Sequence, residues 1–278
     1  LARNNSRIIG VVVNDHPKYE GRVLEDGFVM SSLNALSHEV NKKGYFLMIK
    51  TTTDINEVIV FASMWNMDGL ILMGFCEANY EKLRNQMRIS FVVYDGYFDK
   101  CSKFVNLVID HYDGGYKAGE YFKKLGHKKA LCISDNYICM DKERIDGFCK
   151  AFEPGETVIW KIPNTKKGRV QFYKDKFLEL SKLNITGVFA VSDYYALDFM
   201  QFLQAEGIRI PKDLQIIGMD DSMASRESIP ALTTIHQDAY LRAKAAIKCI
   251  EDMRDGKEYD TRIVLPVKLI KRESTREL

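Results

Sequence analysis

Hydrophobic and polar positions alternate in blocks along the chain, and the blocks change period from strand-like to helix-like and back. Ile8-Ile9-Gly10-Val11-Val12-Val13 is an unbroken apolar run of strand length, the pattern of a parallel strand buried on both faces. Val29, Leu33, Leu36 and Val40 then fall at helical spacing, Gly44 ends the helix, and Tyr45–Ile49 predicts the next strand. The same grammar predicts a helix over 54–65, a strand at Gly69–Met73, a helix over 78–87 and strands at Phe91–Tyr94 and Phe104–Ile109. A second series follows. It has helices over 112–125, 142–152, 168–183 and 193–205, between strands at Ala130–Ser134, 157–161, Gly187–Val191 and Leu214–Gly218. The tail adds a helix over 239–253 with Ala239, Ala243, Ala246, Ile250 and Met253 on one stripe, then strands around 261–265 and 267–271.

Two β/α series in 278 residues predict an α/β protein of two doubly wound parallel-sheet lobes. The extra helix after the second series lets the chain return to the first lobe, and repeated crossings make a hinge with a central cleft. The expected division is residues 8–124 plus 238–263 for the N-terminal lobe and 125–237 plus 264–278 for the C-terminal lobe.

Composition changes this picture little. Apolar residues make up 46%, charged residues 28%, and the net charge is +2, so there is no electrostatic footprint for nucleic acid or a membrane surface. No apolar run approaches the roughly 18 residues of a membrane helix. Cys76, Cys101, Cys132, Cys139, Cys149 and Cys249 contain no C-x-x-C pair and sit mostly in apolar stretches, as reduced core thiols would. With no signal-peptide pattern before the first strand, the expected compartment is the cytoplasm. No phosphate-binding glycine loop, nucleophile elbow or H-E-x-x-H motif is present, and the histidines lack metal-ligand spacing. An enzyme is therefore disfavoured, no metal or cofactor is expected, and a binding protein leads.

Several stretches in order carry a resemblance. They are Asp110-His111-Tyr112-Asp113-Gly114-Gly115 continuing to Gly126-His127, Arg144-x-x-Gly147-Phe148, and Val191-Ser192-Asp193-x-x-Ala196 with Pro211-x-Asp213 and Gly218-Met219-Asp220-Asp221. Pro230-Ala231-Leu232-Thr233-Thr234-Ile235 and Arg272-Glu273-Ser274-Thr275 complete the set. At these spacings the chain resembles the effector-binding core of the LacI/GalR family of bacterial transcription regulators, with His111 replacing a usual Asn and Glu273 a common Gly. The resemblance implies a type I periplasmic-binding-protein-like fold, a small-molecule effector, most simply a sugar or sugar derivative, and a homodimer. It also implies operator DNA as a partner through an N-terminal helix-turn-helix of about 60 residues, which these residues do not include. Residues 1–7 resemble the end of the hinge that joins such a headpiece to the core.

Ligands of doubly wound sheets sit at the carboxyl ends of strands, so candidate side chains follow strands. Asp220 matches the family's ligand-contacting aspartate, and a carboxylate can accept from two vicinal hydroxyls; its neighbour Asp221 suits a turn or cap. Arg144, placed by the pattern at a helix start where its charge opposes the dipole, matches the family's ligand-gripping arginine. Ser192 occupies a family ligand position, and Asp193 follows it, with helix capping as the alternative role for Asp193. In the first lobe Asp95, Asn14 and Asp15 follow strands and have turn formation as their alternative. Phe28 resembles an aromatic ligand contact, Phe75 is a similar case, and core packing competes for both. Gln237 stands at a lobe crossing within reach of a ligand.

Tyr194, Tyr195, Leu197, Phe199, Met200, Phe202 and Leu203 wrap nearly the whole helix over 193–205, which predicts a subunit interface on one side of it. The helix over 54–65, with Val58, Ile59, Val60, Phe61 and Trp65, is its expected counterpart. The main alternative to a regulator core is a secreted sugar receptor of a transport system, which shares the two-lobe fold but is monomeric.

Overall fold

The computed structural model describes residues 6–75, 82–83, 85–96 and 104–276. The expected hinge residues 1–5, half of the expected helix over 78–87, and Cys76 and Cys101 lie outside the described residues.

The chain forms two compact units, residues 1–109 with 238–265 and residues 110–237 with 266–278, so it crosses between them three times. In the first lobe the strands are β1 (Ile8–Val13), β2 (Phe46–Thr51), β3 (Gly69–Met73), β4 (Phe91–Tyr94), β5 (Val105–Ile109) and β11 (Arg262–Leu265). They form one sheet in the order β11-β5-β4-β3-β1-β2, every pairing parallel. Its helices include α1 (Gly27–Lys42), α2 (Ile55–Met64) and α8 (Ala239–Arg254). Asp26, Asp54 and Asp238 cap these helices by accepting hydrogen bonds from first-turn amides. The central strands bury almost every residue, Val11, Val12, Leu70, Leu72 and Val93 among them, as the unbroken apolar runs require.

The second lobe repeats the plan with β6 (Lys129–Ser134), β7 (Glu156–Lys161), β8 (Gly187–Ala190), β9 (Gln215–Asp220), β10 (Thr233–Gln237) and β12 (Val267–Ile270). The order is β12-β10-β9-β8-β6-β7, and only the edge strand β12 runs antiparallel to its neighbour. Its helices are α3 (His111–Lys124), α4 (Cys139–Phe152), α5 (Lys166–Lys182), α6 (Asp193–Ala205) and the short α7 (Met223–Glu227).

The expected lobe boundary at residue 124 moves to residue 109, because α3 packs in the second lobe. Glycines explain the move. A Cβ on Gly115 would sit 2.7 Å from the Arg144 carbonyl carbon, and one on Gly147 would sit 3.0 Å from the Tyr112 carbonyl carbon. Only paired glycines let α3 and α4 approach backbone to backbone, and that contact holds α3 with its partner helix.

On α6, where an interface is expected, Tyr194 stays 45% exposed and Leu197 is half-buried. Tyr195, Ala196, Phe199, Met200 and Leu203 are buried within the lobe. Phe202 packs against Tyr173 and Phe177 of α5, with ring centroids 5.4 and 5.9 Å away. The sheet on one side and α5 on the other cover most of the aromatic wrapping. By contrast, α2 and the edge strand β2 leave Val60, Met64, Trp65, Phe46 and Ile49 exposed.

Candidate functional site

Strand order reverses between β1 and β3 in the first lobe and between β6 and β8 in the second. The carboxyl ends beside such a reversal are where loops diverge and leave a crevice. The second lobe carries the more developed set of polar groups there.

Asp220 ends β9 with φ 133°, and Asp221 follows with φ 57°, two successive non-glycine residues in a region that L side chains avoid. Such strain persists only where surrounding bonds hold it. Asp221 is held by Arg226, Arg272 and His236, the last at 2.8 Å. Burial opposes its charge, but the hydrogen bonds from Arg272 and Arg226 prevail and draw the carboxyl below its ordinary range. With Asp221 anchored as the structural member, Asp220 takes the bond from Gln237 Nε2 to its Oδ1 at 2.7 Å. The structure thus brings together the two expected residues Asp220 and Gln237.

Arg144 lies in the second turn of α4, since the helix begins at Cys139 rather than beside the arginine. The dipole argument for it therefore lapses, and hydrogen bonds take its place. The side chain is only 6% exposed. Its Nε donates to His111 Nδ1 at 3.1 Å and its Nη1 to the Val191 carbonyl at 2.6 Å, while Asp141 Oδ1 lies 3.7 Å from Nη1. This guanidinium joins the start of α3 to the carboxyl end of β8. Beside it, Asp135 and Asn136 follow β6, and Asn136 Nδ2 donates to Asp135 and Asp141, each at 2.8 Å.

Ser192 caps α6, its hydroxyl accepting from the Tyr195 amide at 3.3 Å. Asp193 departs from both expected roles. It is 1% exposed and turned inward, where its carboxylate accepts from the Ser222 amide at 2.8 Å, the Ser222 hydroxyl at 2.9 Å and the Thr234 hydroxyl at 2.5 Å. Burial pushes its carboxyl up despite these donors. Asp193 is a strut tying α6 to β10 and the loop after β9, neither the cap nor a ligand group.

In the first lobe, Asn14 Nδ2 donates to the Gly74 carbonyl at 2.7 Å, bridging the carboxyl ends of β1 and β3 at the strand-order reversal. The other amide atom, Asn14 Oδ1, and Asp15 Oδ1 are buried without a hydrogen-bond partner. Unsatisfied acceptors at that position suit a donor-rich ligand. Phe28 is half-buried at the start of α1, as a ligand-facing ring requires. Phe75 is corrected: it packs in the core with Phe91, Phe104 and Leu83. Asp95 is corrected as well, because Arg242 Nη2 lies 2.5 Å from its Oδ1 and takes up the carboxylate.

Sequence reasoning missed Arg242. Its guanidinium is 1% exposed, donates to the Leu107 carbonyl at 2.9 Å and lies 4.3 Å from the Tyr94 ring centroid and 5.5 Å from that of Phe28. The available signal was an arginine next to Ala243 of the buried stripe of its helix. His111 and Asp141 were missed too, although Asp141 stands at i−3 from Arg144, a spacing that places both on one helix face. Among the described residues no cluster suits a metal ion, and no helix is long and apolar enough to cross a membrane.

A family model described as a periplasmic binding protein-like domain matches residues 120–275. The HTH-type transcriptional repressor PurR of Vibrio cholerae is 26% identical over 292 residues, covering 100% of this chain and 83% of the repressor. A LacI family transcriptional regulator from Enterococcus faecium, solved with bound ribose, is 26% identical with a TM-score of 0.78 over 98% of this chain and 99% of that one. A dimeric lac repressor superposes with a TM-score of 0.82 at 18% identity, over 96% and 98% of the two chains. The chain belongs to the periplasmic binding protein-like domain family, as an effector-binding core of the LacI/GalR type.

Proposed function

We propose that this chain is the effector-sensing and dimerising core of a transcription regulator that responds to a sugar or sugar derivative. The observation that carries the proposal is the strained Asp220 at the carboxyl end of β9, clamped by Gln237 in the same lobe that holds the buried Arg144. A carboxylate there accepts from vicinal hydroxyls, and Arg144 supplies charge-assisted donors to ring or hydroxyl oxygens. Taken by itself, the first lobe carries unpartnered acceptors on Asn14 and Asp15 and a half-buried ring on Phe28. The ribose-bound relative supports this ligand class.

Regulation follows from linkage. An effector biases a DNA-bound dimer only through its differential affinity for the DNA-bound and free states. Operator DNA is engaged by a headpiece outside these residues. The dimer uses the exposed apolar residues of β2 and of α2, the helix expected as the counterpart of α6. Sedimentation of the chain at tens of micromolar gives a dimer; a monomer at that concentration overturns this part.

A thermal-shift panel of pentoses, hexoses, disaccharides, sugar phosphates and nucleobases tests the effector proposal. A ligand that binds only the folded state at 100 times its Kd adds about 2.7 kcal/mol of stability, a shift of several degrees. A sugar that raises the melting temperature of the chain but not of Asp220→Ala supports the proposal. Stabilisation by nucleobases alone overturns the sugar class.

A further inference from the structure

The close approach of α3 and α4 decides where Arg144 points. Gly115 meets the Arg144 backbone, and His111 stands one turn earlier on the same face of α3. The imidazole, 4% exposed, therefore lies against the guanidinium, and Arg144 Nε donates to His111 Nδ1 at 3.1 Å. Arg144 Nη1 donates to the Val191 carbonyl at 2.6 Å. A guanidinium is planar, so these two bonds fix both its position and its plane. Its Nη2 reaches only the Met140 sulfur, a weak acceptor, at 4.0 Å. The bonds to His111 and Val191 thus leave Nη2 as the edge that can serve an effector.

We propose that His111 is the positioning residue of Arg144: a neutral imidazole holds the guanidinium for the effector, and effector affinity falls when the ring takes up a proton. The proposal rests on the reading of Arg144 as an effector contact. An arginine in a protein is never deprotonated, so Nε is always the donor in this bond and Nδ1 must present a bare lone pair. The ring proton then sits on Nε2. Protonation would turn Nδ1 into a second N–H, break the bond and set two cations side by side. Of the other charged groups nearby, Asp141 of α4 lies 3.7 Å from Arg144 Nη1 and accepts from Ser134 and Asn136 at 3.1 and 2.8 Å. At the start of α3, Asp110 accepts from the Asp113 amide at 2.9 Å, and Asp113 pairs with Lys117. β9 and β10 meet α3 at Gly114 through the uncharged Met219 and Ile235, with Asp220 next along β9. Lys271, after β12, covers Tyr121 towards the far end of α3. Arg144 is the charge bonded to Nδ1 itself, so it governs whether that nitrogen can take a proton.

The ligand-free test is long-range proton–nitrogen NMR of the histidine rings, with His111 assigned by its loss in His111→Asn. The expected spectrum at neutral pH shows a bare Nδ1 and a protonated Nε2, and a protonated Nδ1 overturns the proposal. The binding test titrates the sugar that gives the largest thermal shift at pH values above and below the ordinary histidine value of about 6.5. Wild type binds roughly tenfold more weakly at the acid end, the worth of one charge-assisted hydrogen bond. His111→Leu, which has no acceptor, shows that weakening at both ends. Asparagine carries Oδ1 on Cγ as histidine carries Nδ1, and it takes up no proton. His111→Asn therefore restores most of the affinity that His111→Leu loses and keeps it on acidification. Equal acid weakening in His111→Asn overturns the proposal. Failure of every sugar to bind overturns the effector reading and this proposal with it, whereas the wrong tautomer in a chain that binds sugar overturns this proposal alone.

Discussion

Replacing Gly115 by alanine puts a methyl group where α3 meets the backbone of α4. The new carbon would lie 2.7 Å from the Arg144 carbonyl carbon and 3.0 Å from its Cα, with the carbonyl oxygen nearer still. Carbon contacts are comfortable only beyond about 3.5 Å, so the helices must part by roughly 1 Å. The obstacle is backbone, which no rotamer change can relieve. Overpacking of this kind costs about 3 kcal/mol, and the better helix propensity of alanine returns about 1. The net loss is about 2 kcal/mol, which lowers the melting temperature of a lobe this size by about 6 °C. Gly207→Ala is the contrast, because φ there is +83° and no atom lies within 4 Å of the added carbon. It loses only the left-handed backbone preference, about 1 kcal/mol. Thermal and urea unfolding of the two variants check both figures. If Gly115→Ala equals or exceeds the wild type in stability, the close α3–α4 approach is wrong, and so is the assignment of α3 to the second lobe.

Three further outcomes follow from the buried charges. Asp193→Ala strands the donors of Ser222 and Thr234 and loses about 3 kcal/mol in urea unfolding, while Ser192→Ala loses about 1 kcal/mol as a helix cap. Arg242→Met removes the guanidinium from the buried Asp95 carboxylate and costs about 3–5 kcal/mol, whereas the double variant Arg242→Met/Asp95→Leu recovers most of that loss, as thermal unfolding will show. The Asp221 carboxyl is depressed in the folded chain, so its contribution is complete above the ordinary aspartate pKa near about 4 and disappears as pH falls through the lower folded value. The stability gap between wild type and Asp221→Asn therefore closes on acidification below about pH 4, and a gap that widens there contradicts the Arg272 and Arg226 pairing.

The two β/α series were legible because parallel strands buried on both faces write themselves as unbroken apolar runs. Gly69–Met73 and Phe91–Tyr94 fall where the pattern puts them. The lobe boundary was not legible from periodicity. An apolar stripe on α3 says that it is buried but not against which sheet, and the deciding signal was glycine at 115, 119 and 147. The all-round aromatic pattern of α6 is ambiguous for a related reason. A helix covered by a sheet and by another helix has the same composition as one covered by a sheet and a second subunit. At the candidate site, Asp220, Gln237 and Arg144 stand out in the sequence because they follow strands or match a family motif. Asp193 and Asp95 follow strands too, but sequence position does not show which way a carboxylate turns. Their partners, Ser222, Thr234 and Arg242, come from segments 29 to 147 residues away in the chain.

The central claim is that the carboxyl-end groups of the second lobe hold a sugar effector through Asp220. Calorimetric titration of the sugar that gives the largest thermal shift, into wild type, Asp220→Ala and Phe75→Leu, tests it most directly. The account predicts saturable binding to wild type, an affinity about 100-fold lower in Asp220→Ala from the loss of charge-assisted hydrogen bonds of about 3 kcal/mol, and unchanged affinity in the core variant. Wild-type affinity in a folded Asp220→Ala would contradict it.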